Sequence, residues 1–204
     1  MRRVTLRLVL VIVALIAAYR FCVLEWVLLP DKRAFNAMKN RTARPVPEDF
    51  DPAVTLEALI EPGDDRARWS QQRAAAVEGY VIRVIDAGIE SANCFSLTRV
   101  DAHIELAARP DAPANQRVIA EITPPMRDWA RRQSLDWSTS ALQRTLTGQR
   151  VRIEGWLLFD DEHDEESENT RPGDSRNWRA TAWEVHPVTS IQIATTRMDL
   201  PTPK

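Results

Sequence analysis

Five stretches of this chain carry the two-residue alternation of β-strands, and a helical stretch separates the third from the fourth. The strands are predicted at 78–86, 100–108, 117–123, 149–159 and 179–193. In the second, Val100, Ala102, Ile104 and Leu106 share one face, and Asp101, His103 and Glu105 the other. Pro124 and Pro125 end the third strand. Residues 125–146 read as helical with a break at 134–138, where Asp136 and Ser138 are candidate caps. Gly148 suits the helix stop, Gly155 a bulge in the fourth strand, and Pro187 a bend in the fifth. The order makes the folded part of the chain mainly β.

Five strands with a helix between the third and fourth resemble the OB-fold, a five-stranded Greek-key barrel. The piece LTGQRVRIEGWLLF looks like the fourth strand of many OB-folds, where a glycine turn leads into V-x-I-x-G. The segments DAHIEL, RVIAEITP, GQRVRIEGWLLFDDEH and WRATAWEVHPVTSI are similar to a group of uncharacterised bacterial exported or membrane-anchored proteins. That resemblance covers residues 77–193 and carries no established activity.

Residues 1–29 read as a membrane anchor. Arg2, Arg3 and Arg7 precede an uncharged run from Leu8 to Tyr19; Arg20 interrupts it, and apolar residues resume to Leu29. No clean small-x-small cleavage site follows, so an uncleaved anchor is expected over a cleaved signal. Extension to Leu29 gives a membrane-length helix if Arg20 snorkels or pairs with Glu25, with Trp26 at the interface. The positive flank places the N-terminus in the cytoplasm and the rest outside, on the periplasmic side of a bacterial inner membrane. Residues 30–76, with Pro45, Pro47, Pro52 and Pro62, read as a Pro-rich linker. A helical turn is expected at 56–60, and a helix opening at Asp64 and Asp65 is expected to run to Val77. The barrel domain would span 77–193, and the tail 194–204 reads as disordered.

A formal net charge of −2 gives no global attraction to nucleic acid. The acidic run from Asp160 to Glu168 repels phosphate, and the second and third strands contain no aromatic residue for base stacking. Nucleic acid is therefore not an expected partner. The acidic run lacks the ordered spacing of a Ca²⁺ loop and reads as a solvated, mobile loop that leaves His163 exposed. Cys22 lies in the apolar segment, which argues against a Cys22–Cys94 pair. Cys94 then reads as a buried or free thiol, with a Cys–His nucleophile as the sharper alternative.

All three histidines sit beside acids. On the expected barrel, His103, Glu121 and Asp101 share the outer face with Glu184 and His186. Strand two lies beside three, and three beside five, so these residues would meet on one patch. Two imidazoles with carboxylates suit Zn²⁺, Mn²⁺ or Fe²⁺, and a divalent metal there could activate water. The alternative is solvated or structurally hydrogen-bonded polar residues on a half-exposed strand. Trp156 and Trp183 are candidates to line a glycan groove. No nucleophile elbow or phosphate loop is present. The expected function is a binding or interaction module at the cell envelope with a protein or glycan partner. A metal-dependent hydrolase is the alternative.

Overall fold

The computed structural model describes residues 7–17 and 29–194. Strands β1 (Ala74–Asp86), β2 (Ala102–Ala107), β3 (Val118–Ile122), β4 (Arg150–Phe159) and β5 (Trp183–Ile193) form a closed barrel in the order β1-β2-β3-β5-β4. The β3–β5 pair is parallel, and every other pair is antiparallel. Between β3 and β4 the chain makes two helices, Pro124–Arg132 and Thr139–Leu146. The first opens on prolines, which lose no hydrogen bond at a helix start. The second is capped by Ser138, whose Oγ accepts the Ala141 N–H at 3.3 Å.

Alternation sorts each strand into two faces. Ala102, Ile104 and Leu106 of β2 meet Val118, Ala120 and Ile122 of β3 in the core, with Trp183, Val185 and Val188 from β5. Burying each large aliphatic side chain contributes roughly 1.5–3 kcal/mol. Gly155 marks irregular β4–β5 pairing, as its sequence position suggested. A Cβ there would collide with the Pro187 carbonyl oxygen and lie 2.7 Å from Val185 Cγ1, so glycine lets the two backbones approach.

The segment before the barrel differs from expectation. No helix runs from Asp64 to Val77; Ala74 to Val77 instead begin β1, paired with Trp156 to Ile153 of β4. The alanines favour helix locally, but a barrel wall lacking those pairs would stay open. Asp65 does not cap a helix either. It is fully buried and accepts from Thr181 Oγ1 at 2.5 Å, the Ala182 N–H at 3.1 Å and Asn169 Nδ2 at 3.1 Å.

The Pro-rich stretch is a belt held to the barrel. It contains helix α1 (Pro30–Lys39) and the expected short helix at Leu56–Ile60, whose Leu56 and Leu59 enter the core. The Arg41 guanidinium donates to the Leu157 carbonyl at 2.9 Å, and Trp156 Nε1 donates to the Ala43 carbonyl at 2.7 Å. Of the apolar N-terminal segment, residues 7–17 are helical with exposed side chains. Residues 1–6 and 18–28, including Trp26, lie outside the described residues, as does the tail from 195 onward. Among the described residues no helix is long and apolar enough to cross a membrane.

Candidate metal centre

The outer face of β2, β3 and β5 carries the polar residues that alternation selected. His103 is paired with Glu121 across β2–β3, and Glu184 lies opposite Ile119 across β3–β5. His103, Glu121, His186, Asp101 and Glu184 thus meet at one place. They are not solvated: Asp101, Glu121, Glu184 and His186 are each at most 5% exposed, and His103 is 9% exposed. The half-exposed strand expected from alternation is a covered one. Its cover comes from α1, from the loop 87–101 and from the loop 160–182.

Within the cluster Glu121 joins the two histidines. His103 Nδ1 lies 3.3 Å from Glu121 Oε1, and His186 Nδ1 lies 3.1 Å from Glu121 Oε2. The second contact is an ion-pair approach rather than a well-directed hydrogen bond. His186 Nδ1 bonds Glu184 Oε2 at 3.2 Å, and Glu121 Oε2 is left without a hydrogen-bond partner among the described residues. On its other side, His186 Nε2 stands 3.5 Å from Asp101 Oδ2. Both His186 Nε2 and His103 Nε2 also lack hydrogen-bond partners there. Asp101 is oriented by Asn93, whose Nδ2 donates to Oδ1 at 2.8 Å.

Charge makes the arrangement demanding. Five carboxylates, those of Glu90, Asp101, Glu121, Asp160 and Glu184, surround two permanent cations, Lys39 and Arg179. With all five carboxyls ionised they exceed these two cations by three, and a protonated His186 reduces the excess to two in a buried region. Lys39 Nζ holds Glu90 at 2.7 Å. Arg179 is fully buried and holds Asp160 at 2.9 Å and Glu184 at 2.5 Å. Burial pulls the His186 imidazole down, but Glu121 and Glu184 outweigh it and push its pKa up to about 10. Burial and the neighbouring Glu121 push the Asp101 carboxyl up to about 7. Burial also opposes ionisation of Glu121, yet the two histidines hold it well below the usual carboxylate range.

Asp101, Glu121 and His186 each offer a ligand atom, and these atoms lie within 4.8 Å of one another. An ion with bonds of about 2.0–2.2 Å holds neighbouring ligands roughly 3 Å apart. At His186 only the 3.5 Å separation to Asp101 involves Nε2, the nitrogen that Glu184 leaves open; the 3.1 Å approach of Glu121 is to Nδ1, on the other side of the ring. A cavity of about 210 Å³ adjoins the cluster, with His103, Glu121 and Glu184 on its wall.

His163 is exposed, as expected, yet it also borders this region. Its Nδ1 lies 2.8 Å from Asp160 Oδ2, and Trp178 packs between it and His103, with ring centroids at 5.8 and 5.5 Å. The acidic loop is ordered by its own bonds. Trp178 Nε1 donates to Glu166 Oε2 at 2.5 Å, and the Gly173 N–H to Glu168 Oε1 at 2.8 Å.

The tryptophans do not form a glycan groove. Trp183 is buried in the core with Nε1 donating to the Asp65 carbonyl at 2.7 Å. Trp156 is covered by Arg41, 4.6 Å over its ring. Cys94 is disulfide-bonded, which removes the free-thiol and nucleophile readings; the chain's other cysteine, Cys22, lies outside the described residues, and the expectation against a Cys22–Cys94 pair gains no support. Sequence reading missed Lys39, Glu90, Asn93, Asp160 and Arg179. Only Arg179 carried a signal: it shares the alternation of Thr181, Trp183 and Val185, a register that predicts burial. A scan against protein-family models finds no match to this chain, and a search of curated proteins finds no relative.

Proposed function

We propose that the barrel is a divalent-cation-binding module carried at the cell envelope by the apolar N-terminal segment. Asp101, Glu121 and His186 are the ligands, His103 is a fourth donor, and Glu184 orients His186. One observation carries this reading: three buried ligand groups converge while Glu121 Oε2, His186 Nε2 and His103 Nε2 have no hydrogen bond among the described residues. A dication among Asp101, Glu121 and His186 would give Glu121 Oε2 and His186 Nε2 a partner and offset the surplus negative charge. The strand order, with β3 parallel to β5, supports an OB-like barrel. The disulfide at Cys94 supports an oxidising compartment, and the arginines at 2, 3 and 7 support a cytoplasmic N-terminus.

The test is elemental analysis of the gently purified full chain, with calorimetric titration of Zn²⁺, Mn²⁺ and Fe²⁺. Stoichiometric metal is expected, and His186→Ala and Asp101→Asn should each abolish it. A wild-type chain that neither retains nor takes up any of these ions would sink the reading. Export is tested separately by a phosphatase reporter fused after Ala194, which is active only outside the cytoplasm.

The cavity beside the cluster favours a second reading, metal-dependent hydrolysis, because it gives a small substrate access to a metal-activated water. Hydrolysis of nitrophenyl phosphates and esters by the metal-loaded chain, lost in Glu121→Gln, would support it. Metal binding without turnover on the panel would leave the module reading alone.

A further inference from the structure

We infer that the loop between β1 and β2 is a membrane-contacting surface, seated in the interfacial layer of the bilayer that holds the N-terminal segment. This inference rests on the anchoring reading above. The loop spans 87–101 and exposes three large apolar side chains within nine residues: Ile89 at 55%, Phe95 at 37% and Leu97 at 72%. They are not exposed through looseness. Glu90 is held by Lys39, the Ala92 carbonyl accepts from Asn40 Nδ2 at 3.0 Å, and Asn93 is bound to Asp101. Cys94 and Phe95 both adopt left-handed backbone angles, φ 52° and 53°, which few side chains accept without surrounding restraint. A loop so fixed, displaying apolar groups, is built to present them.

The occupant is identified by where the chain comes from. Ile89 and Phe95 line a cavity together with Lys32. Lys32 is three residues after Leu29, the end of the apolar segment, so about 10 Å of chain separates them. The interfacial layer on each side of a bilayer is itself roughly 5–8 Å deep. Leu29 is exposed too, as are the large apolar residues from Leu8 to Ile16. Lys32 and Arg33 are exposed at the start of α1, where cations meet anionic headgroups, while Arg99 of the loop is paired with Asp128 at 2.8 Å. Glu90 and Glu162 line the same cavity as Ile89 and Phe95, and Asp31 a neighbouring one, so the contact is driven by apolar insertion more than by charge. A protein partner would need no relation between this patch and residue 29.

The experiment uses the full chain in vesicles of phosphatidylethanolamine and phosphatidylglycerol. A photo-crosslinking phenylalanine analogue replaces Ile89 or Leu97, with Leu135 as an exposed apolar control at a site remote in sequence. Lipid adducts from positions 89 and 97 should exceed those from 135 severalfold. Adducts no higher than the control, from a chain that stays in the vesicles after a carbonate wash, would overturn the proposal and leave the anchor standing. Release by the carbonate wash would overturn the anchor reading and this inference with it. In native membranes, a protein adduct at 97 without a lipid adduct would assign the patch to a protein and also overturn the proposal.

Discussion

Two carboxylate sites share the outer face of β2, and they are finished in opposite ways. Glu105 is as deeply buried as Asp101. Its Oε1 accepts from Arg83, with Nε at 2.9 Å, and its Oε2 from Arg117 Nη1 at 2.8 Å. Arg117 in turn donates to the Ala112 carbonyl, so that site is closed by protein alone. The Asp101–Glu121–His186 cluster has no arginine on its ligand atoms among the described residues and leaves polar atoms unbonded. Equal burial therefore carries two meanings. At Glu105 it fastens two strands and a loop. Around His186 it leaves polar atoms without a partner among the described residues, the place proposed for a cation.

The comparison should break hardest at Arg179, which gives Asp160 and Glu184 what Arg83 and Arg117 give Glu105. Arg179→Met strips two buried carboxylates of their cation and should lower stability by about 3–5 kcal/mol, read from urea unfolding. Next in size is metal linkage. A cation at one hundred times its dissociation constant should stabilise the chain by about 2.7 kcal/mol. Glu105→Gln should retain that increment and His186→Ala should lose it; an equal gain in both variants would remove the distinction between the two sites.

The pH dependence of the metal-free chain sharpens the same contrast. His186 has a folded pKa of about 10 against an ordinary 6.5, so its contribution is complete below 6.5 and is lost as pH rises through 10. Asp101, raised to about 7, loses stability in the same direction, from its ordinary 3.8 up to 7. The thermal midpoint should fall between pH 5 and 9, about where these two groups titrate, and fall less in His186→Ala. A wild-type profile flat over that range would contradict the arrangement. The smallest effect belongs to Arg83→Ala. Arg83 is half exposed and Arg117 remains on Glu105, so the loss should stay within about 1 kcal/mol.

The faces of the strands were legible because β-structure has period two. Val100 to Leu106 and Val118 to Ile122 sort themselves, and Glu184 and His186 fall on the outer side of β5. Ser138 and Gly155 were legible from local geometry. What lay over those faces was not. Lys39 comes from a stretch that reads as linker, and His163 and Trp178 come from one that reads as solvated acid. Their places are set by contacts across tens of residues, such as Lys39 with Glu90 and Arg41 with Leu157. Alternation tells which side a residue is on; it does not tell what covers that side.

The belt between α1 and β1 has a mechanical consequence. Tension applied at residue 30 enters the molecule along this strap, not along a barrel strand. It loads Lys39–Glu90 and Asn40–Ala92 first, then Arg41 and Ala43 on β4, and later Asp65 against Thr181 and Trp183. The links at residues 39 to 43 peel before β1 feels a pull, which reaches it where the Asp51 N–H bonds the Ala74 carbonyl at 2.9 Å. The strap acts as strain relief, and the first link to give is the one at the rim of the ligand cluster.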